Sequence, residues 1–318
     1  MEIKPCNPKA SSEVIRVLNY IEGLQGNGIL TGQHTKTKRQ EELIYLKDVT
    51  GRQPALCGFE LLSYSPNIRY ETCGEECLKE IEENKEILEE ALAWAEKKGL
   101  ITLTWHWFSP IGGTDKSFYS KNTDYDASKA IIEGTEENLA LLSDMDDMAE
   151  LLKVFRDRRI PILWRPFHEA DGSWFWWGKY GAEIAKRLYY IMFERYTSLH
   201  DLNNLIWIWN SPDKEGYVGD NFCDVISRDV YPQAHHHTDQ AEEYRELIRI
   251  TSAGKPAALA EIGTLPSIQK LSATRIPWVW FMAWCEEILS EKYTYKYDLY
   301  QAYNHSYAVT LDKLPELY

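Results

Sequence analysis

Eight apolar runs alternate with helical patterns along this chain, and this alternation constrains its fold more than any other feature. The runs are almost continuously apolar, which is typical of strands buried on both faces of a parallel sheet. Turn or polar residues follow each run, and strands that alternate with helices favour an α/β fold. The predicted strands cover residues 29–30, 55–59, 100–105, 160–164, 205–209, 225–232, 257–260 and 279–284.

Helical spacing of apolar residues fills the intervals between the predicted strands. Eight strand–helix units in 318 residues fit one (β/α)8 TIM barrel, a single domain over 1–318. A doubly wound open sheet is the alternative, although no Gly-rich nucleotide-binding turn follows the first strand. Thr135 is the expected N-cap of one helix, and Gly99 the expected stop of another. The stretch between the seventh and eighth strands, 267–273, is short. The predicted helices cover residues 14–24, 41–50, 78–95, 139–155, 182–199, 241–251 and 293–303.

Polar and aromatic side chains stand at the carboxyl ends of the predicted strands, where barrel enzymes build their active sites. Any one of them alone could be a residue on the barrel rim whose polar groups are hydrogen-bonded to a neighbour. Together they predict one face of the barrel on which widely separated residues converge. These strand-end residues are His34, Glu60, His106, Glu169, Asn210, Tyr231, Glu261 and Trp284.

The densest of these strand ends lies at residues 164–178, WRPFHEADGSWFWWG. Several charged residues lie close together in this segment, and four aromatic residues follow them at 174–177. Aromatic faces beside a few polar groups are typical of a sugar-binding cleft, because sugar CH faces stack and hydroxyls take hydrogen bonds. Of the four rings, we expect Trp174 to stack on sugar. The alternative is a strand end whose Trp residues cover the sheet rim while Glu169 pairs with Arg165.

Two glutamates, Glu169 and Glu261, follow the fourth and seventh predicted strands and should face each other across the mouth of a barrel. Paired carboxylates are the machinery of glycoside hydrolysis, with a separation of about 5–5.5 Å for retention and about 6.5–9.5 Å for inversion. Desolvation by residues 174–177 suits Glu169 to proton donation, and a Tyr231 hydroxyl would hold Glu261 ionised. Alternatively, Glu261 caps a backbone group and Tyr231 is a core aromatic.

Charge and hydropathy limit the partners and the location of the protein. The formal net charge of −14 argues against nucleic acid and anionic membranes, since both require a basic face. No stretch reaches the roughly 18 apolar residues of a membrane helix. Residues 1–6 lack the apolar segment of a signal peptide. We therefore expect a cytoplasmic protein if Met1 is the native start, and a secreted one if a signal peptide has been removed.

The cysteines and histidines give no indication of a metal or a disulfide framework. Cys57, Cys223 and Cys285 are assigned to strand regions, where a cysteine is usually a small buried apolar group. The pair at 73 and 77 lacks two further ligands nearby, so no metal is expected there. Three consecutive histidines at 235–237 cannot all face one ion and are interpreted as a solvated loop.

Four segments resemble motifs of one family. WRPFHE at 164–169, with GSWFWW at 172–177, resembles the acid/base motif of glycoside hydrolase family 26, whose best-known members are endo-β-1,4-mannanases. AEIG at 260–263 looks like the nucleophile segment of that family. TGQH at 31–34 resembles its first-strand signature, and WHW at 105–107 its third-strand segment with a sugar-binding His. The resemblance implies a (β/α)8 barrel, a retaining mechanism and no cofactor.

The resemblance also implies roles for individual residues. Glu169 would be the acid/base and Glu261 the nucleophile, with Tyr231 in contact with the nucleophile. His168 would help to fix the nucleophile side of the site. Some relatives carry a basic residue after the strand-eight Trp, where this chain has Cys285, and this leaves the preferred product length open. Further expected sugar contacts or supports are His34, Glu60, His106, Trp107, Arg165, Trp174 and Trp284.

The expected activity is endo-cleavage of β-1,4-mannosidic bonds in mannan, glucomannan or galactomannan. The partner is then a polysaccharide or oligosaccharide, and we expect a monomer. One rival keeps the mechanism but acts on β-1,3-xylan or mixed-linkage β-glucan. Two others are a non-catalytic carbohydrate-binding barrel, against which the presence of both glutamates speaks, and a metal-dependent hydrolase.

Overall fold

Over residues 4–36 and 40–318, which the computed structural model describes, eight parallel strands form a closed barrel. The strand β1 pairs with both β2 and β8, so the alternative of an open sheet is wrong. A two-residue strand, β9, adds to β1 outside the ring. The strands are β1 Ile29–His34, β2 Leu56–Glu60, β3 Leu100–Thr104, β4 Ile162–Arg165, β5 Leu205–Asn210, β6 Val225–Val230, β7 Ala257–Ile262, β8 Trp278–Ala283 and β9 Ala308–Val309.

Helices lie in the connections between the strands, near the predicted positions. Thr135 is the N-cap of α6 as expected, and its hydroxyl accepts a hydrogen bond from the Asn138 N–H. The helices are α1 Ser12–Leu24, α2 Glu41–Thr50, α3 Glu75–Glu83, α4 Ile87–Glu96, α5 Ala127–Ala130, α6 Glu136–Asp157, α7 Ala182–Glu194, α8 Ala241–Leu247, α9 Ile268–Thr274 and α10 Lys296–Asn304.

Three predicted helices are not continuous α-helices over the range that the apolar spacing indicates. The pattern over 78–95 is split into α3 and α4, because the Asn84 side chain donates to the Glu80 carbonyl and Glu86 is left-handed, with φ of 63°. The pattern over 182–199 continues from α7 as a π-helical turn, Arg195–Leu199. Likewise, α8 is followed by the 3₁₀ turn Ile248–Ile250.

The helix α1 closes the amino end of the barrel. Its apolar face, with Val14, Leu18 and Ile21, belongs to one buried cluster with inward-facing strand residues such as Leu30 and Leu163. A larger cluster lies between the strands and the outer helices. Because the amino end is filled, a site must form at the carboxyl ends of the strands.

Strand alternation brings several polar side chains into the interior at the carboxyl end. Leu163 belongs to the inner cluster, so Arg165, two residues later, points to the same side. A register shift between Arg228 and Asp229 places Asp229 opposite Glu261. In the described part of the chain, no helix has the length and apolar character needed to cross a membrane.

Candidate active site

Three carboxylates meet at the mouth of the barrel. One oxygen each from Glu169, Asp229 and Glu261 lies within 4.8 Å of the other two. The residues come from the turn after β4, from β6 and from β7. The site therefore contains the two predicted glutamates and one acid that the sequence analysis did not single out.

Glu261 is held by hydrogen bonds to both of its carboxylate oxygens. Arg165 Nη2 donates to Oε1, and the Tyr231 hydroxyl donates to Oε2 over 2.5 Å. The side chains of Arg165 and Glu261 are only 2% and 5% exposed. Burial raises the pKa of Glu261, while Arg165 and Tyr231 act in the opposite direction by stabilising the ionised carboxylate. Two donors thus favour a charged, fixed Glu261.

Asp229 shares one hydrogen-bond partner with each glutamate: Arg165 with Glu261, and Asn210 with Glu169. Its Oδ2 accepts from Arg165 Nη1 over 2.9 Å, and its Oδ1 accepts from Asn210 Nδ2 over 2.9 Å. Burial and the charge of Glu261 together raise the pKa of Asp229 to about 7, although Arg165 and Asn210 act to lower it. Its position two residues before Tyr231 is a signal in the sequence, but the register shift that turns it inward is not visible there.

Glu169 is fixed through its backbone and through one carboxylate oxygen. Its N–H donates to Asn210 Oδ1 over 2.7 Å, and Trp174 Nε1 donates to its Oε2 over 2.7 Å. Phe167 and Glu169 both have positive φ, 50° and 52°, and so lie in the left-handed region. Burial and the charge of Asp229 raise the pKa of Glu169 to about 7, although the Trp174 N–H acts to lower it. Glu169 can therefore hold a proton near neutral pH, where an ordinary glutamate is ionised.

The four aromatic residues at 174–177 divide into one exposed ring and three buried ones. Trp174 is 47% exposed, whereas Phe175, Trp176 and Trp177 are buried. The Trp177 indole N–H donates to the His168 carbonyl over 2.9 Å, so this ring supports the turn that carries Glu169. Trp174 alone of the four is therefore free to stack on a ligand.

Trp107 lies beneath this turn rather than in the cleft. Its side chain is buried, and its Nε1 donates to Asp144 Oδ2 on α6 over 2.8 Å. The Trp107 carbonyl in turn accepts from Trp176 Nε1 over 2.7 Å. Of the two roles that the sequence analysis allowed, sugar contact and support, the structure places Trp107 in the position of a support. No pattern in the sequence predicted that Asp144 would bind the Trp107 indole.

His106 is anchored by Glu60 at the end of β2. Glu60 Oε1 accepts from the His106 N–H, and Glu60 Oε2 contacts His106 Nδ1, both over 2.7 Å. Burial disfavours charge on His106, but the Glu60 carboxylate outweighs this effect and raises the pKa of the imidazole. His168 lies beside His106, and the role expected for it stays a prediction. Its ring contacts the His106 ring, with 3.1 Å between the Nε2 atoms, whereas Arg165 and Tyr231 hold Glu261.

Trp284, after β8, lies beside His34. The two ring centroids are 4.4 Å apart, and the Trp284 ring lies 6.1 Å from that of His106. His34 is buried, and burial lowers its pKa well below the ordinary value. Cys285 is buried, and its Sγ contacts His34 Nδ1 at 3.3 Å. The cleft thus has no cation at position 285.

The three clustered carboxylates have the spacing of cation ligands, but Arg165 already bridges two of them. A guanidinium between Asp229 and Glu261 supplies the positive charge that a metal would otherwise bring. The three histidines at 235–237 do not converge. His235 stacks on Tyr295 with centroids 3.9 Å apart, and His237 Nδ1 contacts the Leu265 carbonyl at 2.8 Å.

Solved structures with the same fold share both architecture and sequence with this chain. A Podospora anserina GH26-CBM35 β-(1,4)-mannanase superposes with a TM-score of 0.87 at 33% identity, covering 99% of this chain and 70% of that one. A β-mannanase from a symbiotic protist of the termite Reticulitermes speratus, complexed with gluco-manno-oligosaccharide, gives 0.87 at 29% identity, covering 98% of both chains.

Curated relatives extend the similarity. A mannan endo-1,4-β-mannosidase of Thermothelomyces thermophilus is 35% identical over 97% of this chain and 62% of its own length. Mannan endo-1,4-β-mannosidase A of Piromyces sp is 30% identical over 97% of this chain and 50% of its own length. The chain thus spans about half to three fifths of these relatives. The sequence model described as glycosyl hydrolase family 26 matches residues 6–313, and the chain belongs to this family.

Proposed function

We propose that this protein is a retaining endo-β-1,4-mannanase that cleaves mannan, glucomannan or galactomannan. One observation carries the mechanism: oxygens of Glu169 and Glu261 lie within 4.8 Å of each other. An oxygen separation of at most 4.8 Å agrees with the short carboxylate spacing of about 5–5.5 Å in retaining glycosidases and lies below the about 6.5–9.5 Å of inverting enzymes. Family membership and the names of the relatives support mannan as the substrate.

The two carboxylates have environments that suit different steps. In the first step Glu261, ionised by Arg165 and Tyr231, attacks the anomeric carbon while Glu169 gives its proton to the leaving oxygen. The bond to the leaving sugar breaks and a glycosyl-enzyme forms. In the second step Glu169 takes a proton from water, and that water releases the sugar from Glu261.

Proton NMR of the first product tests retention directly. Cleavage of a β-linked manno-oligosaccharide should release the β-anomer first, and mutarotation should follow. Initial α-anomer would contradict the proposal, because it requires a single displacement.

The substrate is tested by reducing-sugar release from mannan, β-1,3-xylan and mixed-linkage β-glucan under matched conditions. Mannan is expected to be the best polymer, and a protein inactive on mannan but active on another polymer would favour the rival substrates. Binding without turnover would favour the non-catalytic barrel. Turnover that a chelator abolishes would favour a metal-dependent hydrolase.

The single catalytic domain, the monomeric state and the cellular location stay predictions.

Replacing Trp174 with Phe should shift the pH profile of kcat/KM to the alkaline side. Glu169 must be protonated to donate, so activity falls as pH rises through its pKa of about 7. The Trp174 N–H stabilises the ionised carboxylate, and its removal raises that pKa, by about one unit for a charged hydrogen bond. Tyr180→Phe, at another exposed aromatic, is the control. A falling limb that stays in place or moves to lower pH would refute this role.

Replacing Tyr231 with Phe should lower kcat about 10- to 100-fold, the effect of one hydrogen bond to a charged group. The hydroxyl donates to Glu261 over 2.5 Å, and its loss leaves the nucleophile held by Arg165 alone. Steady-state kinetics on manno-oligosaccharides measure the effect, with Tyr297→Phe on exposed α10 as the control. Equal kcat values for the two variants would show that Tyr231 does not position Glu261.

A further inference from the structure

Asp144 is a buried carboxylate on the apolar face of an outer helix. The buried side of α6 includes Leu141, Met145 and Met148, and Asp144 lies among them with 2% of its surface exposed. An ionised carboxylate is costly at such a position unless it is hydrogen-bonded. Burial raises the pKa of Asp144 to about 7, although two side-chain hydrogen bonds act to lower it. The cost of this acid is therefore offset by the groups that it binds.

Both oxygens of Asp144 bind side chains from the carboxyl side of the barrel. Oδ2 accepts a hydrogen bond from Trp107 Nε1, and Oδ1 accepts one from Asn67 Nδ2, each over 2.8 Å. Trp107 belongs to the segment after β3, and Asn67 to the segment after β2. An outer helix thus holds two segments that follow the strands on the side of the candidate site.

The Trp107 ring lies against the turn that carries Glu169. Its centroid is 6.0 Å from that of Phe167, and 5.2 Å from that of Trp176 in an edge-to-face contact. The Trp107 carbonyl also accepts a hydrogen bond from Trp176 Nε1 over 2.7 Å. Phe167 has a left-handed backbone and precedes Glu169 by two residues in the same turn. A shift of the Trp107 ring would therefore remove support from the turn that places the proposed proton donor.

Two kinds of contact fix the Trp107 ring. The Trp105 ring stacks on it with centroids 4.1 Å apart and planes inclined by 10°. Stacking sets the distance between ring planes but does not prevent one ring from sliding over the other, whereas a hydrogen bond is directional. An indole has a single polar atom, the Nε1 donor. The bond to Asp144 is therefore the one side-chain hydrogen bond that Trp107 can donate, and it fixes the ring within its plane.

We propose that Asp144 is a positioning residue for proton donation by Glu169. Asp144 lies behind Trp107 and acts through it, because it holds the Trp107 ring against the turn of Glu169. This inference rests on the proposed function, since it assigns a role in that reaction. Loss of the acceptor at position 144 should impair the step in which Glu169 protonates the leaving oxygen. A first step that needs no acid should proceed almost normally.

The test compares two substrates of the Asp144→Leu variant, which removes the acceptor and places an apolar side chain of similar size on the apolar face of α6. On a manno-oligosaccharide, kcat/KM should fall about 10- to 100-fold, the effect of a small misplacement of a reacting group. On dinitrophenyl β-mannobioside, kcat/KM should fall less than about threefold, because this leaving group departs without a proton. A merely structural defect lowers both values equally, so the ratio of the two reports the position of Glu169.

Two further variants make the test specific. In Asp144→Asn, the amide oxygen can still accept from Trp107 Nε1, so kcat/KM on the oligosaccharide should stay within about threefold of the unchanged protein. Asp146→Leu is the matched control on the same helix. The Asp146 carboxylate contacts Arg195 and His200 after α7, and its loss should leave both kcat/KM values unchanged.

Three results would overturn the proposal: equal losses on the two substrates, an Asp144→Leu variant as active on the oligosaccharide as Asp146→Leu, or an Asp144→Asn variant as impaired as Asp144→Leu. Circular dichroism identifies a variant that does not fold. In that case Trp107→Phe, which removes the same hydrogen bond and keeps an aromatic ring, must show the same unequal loss. An unchanged protein without activity on manno-oligosaccharides would contradict the proposed function itself, whereas the three results above leave that function intact.

Discussion

Replacing Glu261 with Ala should reduce kcat on mannan by about four to six orders of magnitude, the range found when an essential catalytic group is removed. The variant loses the carboxylate that accepts hydrogen bonds from Arg165 and Tyr231, which is the nucleophile of the proposed mechanism. Glu169→Gln should give a comparable loss on mannan, because the amide cannot donate a proton to a poor leaving group. Steady-state rates and circular dichroism of the same preparations separate loss of chemistry from loss of folding.

Substrates with an activated leaving group distinguish the two glutamates. With Glu169→Gln the first step needs no acid, so a burst of leaving group should precede slow turnover as glycosyl-enzyme accumulates. Glu261→Ala should show no burst, because no covalent intermediate forms. The matched control is Glu133→Gln at an exposed position, for which full activity is expected. A loss of kcat on mannan of less than tenfold in either glutamate variant would exclude the proposed roles.

Replacing Arg165 with Met should destabilise the protein by about 3–5 kcal/mol, the usual effect of removing one partner from a buried ion pair. Arg165 is 2% exposed and bridges Asp229 and Glu261, so Met leaves two buried carboxylates without their cation. Denaturant unfolding at pH 8 measures the loss. Arg187→Met, which removes an exposed pair with Glu183, is the control and should cost less than about 1 kcal/mol.

The pH dependence of this destabilisation has a definite sign. Burial raises the folded-state pKa of Asp229 to about 7, above its unfolded value, so its effect on stability is unfavourable only when it is ionised. Without Arg165, the pKa of Asp229 rises further. The difference in free energy of unfolding between the protein and Arg165→Met should therefore shrink as pH falls from 8 to 5. A difference that is constant with pH would show that lost packing, not the unpaired charge, dominates.

The sequence predicts the barrel and its two principal acids because both follow from local patterns. Eight apolar runs, each ending in a polar residue, determine which strands form and which end of the barrel holds the site. Glu261 directly follows such a run, and Glu169 lies in the short polar segment after another. Asp229 escapes this reasoning because simple alternation does not reveal the register shift between Arg228 and Asp229 that turns it toward Glu261.

Side-chain partners that depend on packing are harder to predict from sequence. Arg165 is close in sequence to Glu169, yet its guanidinium reaches Asp229 and Glu261 from other strands. His168 likewise points to His106. Trp174 is the exposed ring of the four, and its stacking on sugar stays a prediction, because four consecutive aromatic residues carry no local signal of which three the neighbouring loops will cover.

The left-handed backbone at Phe167 and Glu169 has a consequence for attempts to make this protein more heat-resistant. Each such residue without glycine's freedom costs about 1–3 kcal/mol, and the cost persists because packing and hydrogen bonds around the turn enforce it. Selection for thermal tolerance alone will favour substitutions that relax these two positions. Such variants would gain melting temperature while the proton donor drifts from its place. Screens that score survival of heating without measuring turnover will therefore enrich robust but slow catalysts from this scaffold.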